Sequence, residues 1–176
     1  MKLSNLARVV THIVAHSLGY QDAEEAETIA RVLLYAQVRG NSQGVIKVLT
    51  QGVPPSAGAS NPIATEHETK LSARLNGCGA SGMLLMERAT RVAIAKAQEH
   101  GLAIVAAHGS GSGTGAIGYF GRRIAESGLV GIVLCQSPEL MAPYGSYEPI
   151  FGTNPFAIGI PTQVKAHSWR SSMHSE

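Results

Sequence analysis

Gly113, Gly115 and Gly118 stand at G-x-G-x-x-G spacing inside the run Gly109-Ser-Gly-Ser-Gly-Thr-Gly-Ala-Ile-Gly118. Glycine lets a backbone approach a ligand closely and adopt positive φ. The free N–H groups of a helix N-terminus favour an anion. The run is therefore a candidate cradle for a pyrophosphate. Other chemistry-bearing patterns are sparse. Cys78 and Cys135 lack metal-ligand spacing, so no metal is expected. Glu24, Glu25 and Glu27 read as a solvated helix face, and no Ser/His/Asp arrangement stands out. His108, just before the run, reads as a satisfied structural histidine.

The flanking elements decide what the glycines mean. Leu102–Ala107 reads as a buried strand, Ile117–Ala125 as a helix, and Leu129–Leu134 as a second buried strand. Strand, glycine loop, helix and strand suit a Rossmann dinucleotide site. Such a site also wants an acid at the tip of the second strand, and the nearest is Glu139, beyond Pro138. The fingerprint usually follows the first strand of its sheet, whereas a long helix and a strand precede this one. Three readings stay open from pattern alone: a Rossmann site, another kind of cofactor-contacting loop, and a tight turn without a ligand.

The rest of the chain supplies helices and a further strand. Leu3, Leu6, Val10, Ile13 and Val14 fall at helical spacing and predict an amphipathic helix ending near Gly19. Asp22 can cap a second helix, with Glu25 as capping-box partner and Ile29, Val32, Leu33 and Ala36 as its stripe. Gly40 ends it. Gly52–Pro62, with three prolines, reads as a linker, and Leu71–Leu75 as a strand. Ser81 can cap a long helix running to about His100, with Leu85, Met86, Ala89, Val92 and Ala93 inward and Gly101 closing it. Phe156–Ile160 predicts another strand. Cys135 reads as a small core residue.

The expected organisation is an N-terminal helical segment (1–52), a linker (53–70), an α/β cofactor-binding region (71–162) and a polar tail (163–176) that reads as disordered. The 176 residues suffice for one sizeable core. The net charge of +2 gives no argument for nucleic acid, and Arg122-Arg123 is the only basic doublet. Asn5, Arg8 and His12 interrupt any leader-like apolar run, and no stretch reaches transmembrane length. With two unpatterned cysteines, the expected setting is a reducing cytoplasm.

Several separated segments, in order, resemble one family. They are Tyr35-Ala-Gln-Val-Arg-Gly40, Asn41-Ser-Gln-Gly-Val45, the helix Ser81–Gly101, Gly111-Ser-Gly-Thr-Gly-Ala-Ile-Gly-Tyr119, Gly131-Ile-Val-Leu-Cys-Gln-Ser137 and Gly152-Thr-Asn-Pro-Phe156. Together they resemble the N-terminal half of the non-Rossmann, type-2 malate/L-lactate dehydrogenases, a family that includes ureidoglycolate, sulfolactate and diketogulonate dehydrogenases. The likeness runs from residue 1 to about 162.

The resemblance implies an α/β fold with a mixed sheet and flanking helices, behind a small N-terminal helical segment. It implies hydride transfer between NAD or NADP and a small 2-hydroxy or 2-keto acid. Such chemistry calls for a near-neutral base and a cation for the carboxylate. The family's Ser-His-Gly histidine aligns with Gln43, its following arginine with Lys47, and its loop histidine with Gly113. The residues expected at the catalytic centre are thus Lys47, Gln43 and Ser112, with Ser42 and Thr114 as further hydrogen-bond donors. Those expected at the cofactor are Gly113, Thr114, Gly115, Ser137, Thr153 and Asn154. A half-sheet exposes apolar surface, so a homodimer is expected. A non-catalytic relative serving as an interaction module, and a classical Rossmann protein, are the competing readings.

Overall fold

A computed structural model describes residues 2–56 and 62–162, and the backbone of 167–171. The chain forms two compact units, residues 1–116 and 117–176.

In the first unit, α1 (Leu3–His16) packs on α2 (Ala23–Gln37). The Asp22 carboxylate starts α2 by accepting from the N–H of Glu24 at 2.7 Å and of Glu25 at 3.3 Å. The predicted stripe Ile29, Val32, Leu33 and Ala36 is fully buried, together with Val10 and Val14 of α1. A short α3 (Ile46–Leu49) follows. Next come β1 (Ala64–Glu68), β2 (Ser72–Asn76), α4 (Gly82–His100) and β3 (Ile104–His108). β1 lies antiparallel to β2, and β2 parallel to β3, with α4 as the crossover. Leu75 of β2 meets Leu85 and Ala89 of α4 in the core beneath this sheet. Gly101 closes α4 at φ +85. Arg91 on α4 bonds the buried Glu87 at 2.9 Å and Glu24 of α2 at 2.5 Å, tying the two helices together. These two carboxylates hold the Arg91 guanidinium above its ordinary pKa.

The second unit contains α5 (Gly118–Glu126), β4 (Gly131–Leu134), β5 (Phe156–Ile160) and β6 (His167–Ser171). The three strands form an antiparallel sheet with β5 at its centre. α5 crosses β5 where Gly121 meets Gly159; a Cβ on Gly159 would overlap the Gly121 carbonyl oxygen.

This is the mixed α/β architecture expected from the resemblance, and it overturns the Rossmann reading. β3 pairs only with β2 among the described residues, in a sheet whose other pairing is antiparallel. Among the described residues, the pairing of β4 is with β5 and is antiparallel. The strand–loop–helix–strand run therefore forms no parallel βαβ unit, and the G-x-G-x-x-G match is fortuitous. Glu139 accordingly caps no parallel strand.

Further expectations differ from the structure. The strands read as buried are not: β3 is exposed at four of its five positions, and β4 at alternate ones. The proposed linker 53–70 contains β1, an exposed edge strand whose sequence Ala-Thr-Glu-His-Glu carries no apolar alternation; residues 57–61 lie outside the described ones. The polar tail contains β6, held by backbone bonding to β5; residues 163–166 and 172–176 lie outside the described ones. Cys135 is half-buried at the end of β4 and not a core residue. The division into units at residue 116 cuts through the region 71–162 that the sequence reads as one.

Candidate cofactor and substrate site

Parallel pairing of β2 and β3 brings the loops that leave them side by side. Gly77 N–H donates to the His108 carbonyl at 2.7 Å, Gly79 N–H to that of Gly109 at 2.8 Å, and Gly111 N–H to that of Ala80 at 2.8 Å. This backbone pairing accounts for most glycines of the run. A Cβ on Gly111 would overlap the Gly79 carbonyl oxygen, and one on Gly109 the Asn76 amide oxygen. At φ +70, Gly115 sits against Val32 and Met83. Gly113 differs: it is exposed, and a Cβ there would meet nothing within 4 Å.

Ser112, expected among the catalytic residues, has a structural engagement. Its hydroxyl accepts from Gly82 N–H at 3.1 Å, at the start of α4, and donates to the Gly113 carbonyl at 3.4 Å. Ser81 occupies the N-cap position but makes no side-chain capping bond. The sequence thus locates this helix start correctly, while its cap comes from thirty residues downstream.

Gln43 lies on the segment joining α2 to α3, and Lys47 within α3. The Asn41 side chain accepts from Gln43 N–H at 2.8 Å, and Gln37 Oε1 from Val45 N–H at 3.1 Å, which fixes the bend. Lys47 N–H donates to the Gly44 carbonyl at 3.0 Å. The Lys47 stem lies against Gly52, where a Cβ would overlap its Cδ. Among the described residues, no carboxylate pairs with the Lys47 ammonium. It is a cation whose charge is available to a ligand. Ser42 is exposed and Thr114 half-buried.

In the second unit, Ser137, Thr153 and Asn154 come together where β4 ends and β5 begins. The Ser137 hydroxyl accepts from Thr153 N–H at 2.7 Å and lies 3.0 Å from the Thr153 hydroxyl. Ser137 N–H donates to Asn154 Oδ1 at 3.3 Å. Asn154 has φ +38. A Cβ on Gly152 would overlap the Ser137 carbonyl oxygen, so this turn also needs its glycine. The intervening hairpin is pinned by a bridge between Met141 and Phe151, and it leaves Tyr144 and Tyr147 fully exposed.

The sequence reading missed Glu66. This β1 carboxylate accepts from His108 Nε2, Arg74 Nε and Asn76 Nδ2, each at 2.9 Å, and so spans all three strands. The bond from His108, then that from Asn76 and the Arg74 charge, hold its carboxyl below the ordinary range. The signal was invisible because β1 itself was.

A family model described as malate/L-lactate dehydrogenase matches residues 2–169. The chain belongs to the malate/L-lactate dehydrogenase family. Among its relatives in this family, the ureidoglycolate dehydrogenase (NAD(+)) of Escherichia coli O157:H7 is 37% identical over 142 residues, covering 78% of this chain and 40% of that protein. The L-sulfolactate dehydrogenase of Methanothermobacter thermautotrophicus is 34% identical, covering 79% and 42% respectively. Among solved structures, malate dehydrogenase from Pyrococcus horikoshii OT3 matches with a TM-score of 0.85 at 29% identity, covering 98% of this chain and 50% of that one. The sulfolactate dehydrogenase of Methanocaldococcus jannaschii matches the fold, with a TM-score of 0.81 at 23% identity. The chain spans about 40–50% of the length of these relatives.

Proposed function

We propose that the chain provides the N-terminal part of an NAD- or NADP-dependent dehydrogenase that interconverts a small 2-hydroxy acid and its 2-keto acid. The observation that carries this reading is the family match running unbroken through both compact units. The residues present suit a nicotinamide dinucleotide. Gly113 leaves its backbone open to close approach, and Ser137, Thr153 and Asn154 gather neutral hydroxyl and amide groups of the kind that bind ribose and carboxamide. When bound, the nicotinamide supplies the hydride acceptor or donor. Lys47 binds the substrate carboxylate as a point charge, without the two-pronged grip an arginine would give. Gln43 can hold a substrate oxygen by hydrogen bonding but cannot take its proton.

The competing reading, a relative that binds without catalysing, is supported by Gln43 and Gly113 at the positions aligned with family histidines. Two measurements separate these readings. A melting or fluorescence shift on adding NAD(H) or NADP(H) is expected; no shift at millimolar cofactor would falsify cofactor binding by this chain. Reduction of small 2-keto acids by the purified protein with NADH or NADPH would sink the non-catalytic reading. We further propose a cytoplasmic homodimer. The free thiols of Cys78 and Cys135 suit a reducing compartment. The exposed apolar row Val130, Ile132 and Leu134 suits self-association. Among the described residues, no helix is long and apolar enough to cross a membrane.

A further inference from the structure

The outer side of the α1–α2 pair carries a groove of about 560 Å³. Its floor is made of short side chains: Ala7, Thr11 and Ala15 recur every fourth residue on α1, beside Ala30 and Leu34 of α2. Rows of this spacing are the ridges and grooves through which helices pack, and short side chains let a third helix approach closely. The rim is polar and unbalanced in charge. Arg8 and Arg31 border the groove against the single carboxylate of Glu27, and His12 and His16 stack along the edge with ring centroids 4.3 Å apart. The Arg31 guanidinium leans on the Thr28 hydroxyl at 3.3 Å, and no carboxylate of the described residues pairs with either arginine.

We infer that this groove docks an amphipathic α-helix of a partner chain, apolar on the face that enters and bearing carboxylates on its flanks. Charge complementarity selects the occupant: two arginines and two imidazole donors face a helix with one carboxylate between them. The distance from Ala7 to His16, roughly 14 Å at 1.5 Å per residue, matches about two and a half turns of such a helix. Docking of this kind is the helix-in-groove mode, read through anchors spaced three and four residues apart.

The test uses the purified 176-residue protein and two fluorescein-labelled, helix-forming peptides. They share a leucine face at helical spacing and differ only in flanking glutamates or lysines. Saturable micromolar binding of the glutamate peptide is expected by fluorescence anisotropy. An Arg8→Ala/Arg31→Ala variant should weaken it at least tenfold, and Ala15→Phe, which fills the floor, should abolish it. Circular dichroism and melting of the variants confirm that they fold; arginine substitutions at these exposed sites leave the core intact. The inference is overturned if the glutamate peptide fails to saturate, or if the lysine peptide binds equally well. It is also overturned if citrate displaces the glutamate peptide at comparable concentration, since the groove would then be a small-anion site.

Discussion

At the scale of single residues, the glycine run holds two kinds of position. Gly111 is fixed by the backbone it lies against, whereas Gly113 faces open space. Gly111→Ala is expected to cost about 1–3 kcal/mol through forced backbone movement, while Gly113→His should change stability by no more than about 0.5 kcal/mol. Thermal melting of the two variants distinguishes these outcomes, and equal losses would refute the distinction. Ser112→Ala should cost about 1 kcal/mol by removing the acceptor at the start of α4. If Ser112 serves only as that cap, cofactor affinity stays unchanged; a loss of affinity without a loss of stability would instead assign it to the ligand. Glu66 gives a pH signature. Its folded pKa lies below its unfolded one, so its contribution to stability is present above the unfolded value, about 4.3, and fades as pH falls through the folded value. Melting curves between about pH 3 and 6 should therefore show a smaller acid loss for Glu66→Gln than for the unaltered protein. Parallel curves would show that the three-strand cluster contributes nothing.

At the scale of elements, what the sequence made legible follows from where side chains are buried. The helices α1, α2, α4 and α5 carry apolar residues at helical spacing against a core, and their bounds were readable to within a few residues. The strands β2, β3, β4 and β5 were readable as short apolar runs between turns, but their burial was not: β3 is exposed at four of its five positions and β4 at alternate ones. β1 and β6 were not readable, because a strand joined through its backbone needs no apolar alternation to form. The candidate site was half legible. The glycines of the first unit and the Ser137–Thr153–Asn154 turn of the second are each local patterns, but the reason for the glycines is a second loop some thirty residues upstream. That pairing exists only once β2 and β3 run parallel. The close crossing of α5 over β5 belongs to the same class of hidden constraint. Gly159→Ala is expected to disrupt the second unit, seen as loss of cooperative melting and exposure to protease, since the clash is with the Gly121 backbone.

At the scale of the whole molecule, the chain spans half the length of a solved relative, and apolar side chains stand exposed among its described residues. Ile132 and Leu134, on one face of β4, and Val130, just before it, are each about two-thirds exposed or more. No charged residue lies between Glu126 and Glu139 to discourage contact there. Concentration-dependent association is therefore expected in sedimentation velocity, and Ile132→Glu should shift the protein towards monomer. A protein that stays monomeric at high concentration would contradict the proposed homodimer. The same experiment bears on yield, because an uncovered sheet face is also a route to aggregation.

The paired loops also set how this protein can change under selection. In a library randomising residues 109–118, glycine at 109, 111 and 115 should survive nearly unaltered, while position 113 accepts many residue types without loss of folded protein. Among the glycines of this loop, novelty therefore enters at position 113. A proton-handling side chain can be acquired or discarded at 113 by one substitution, and the scaffold around it records neither event.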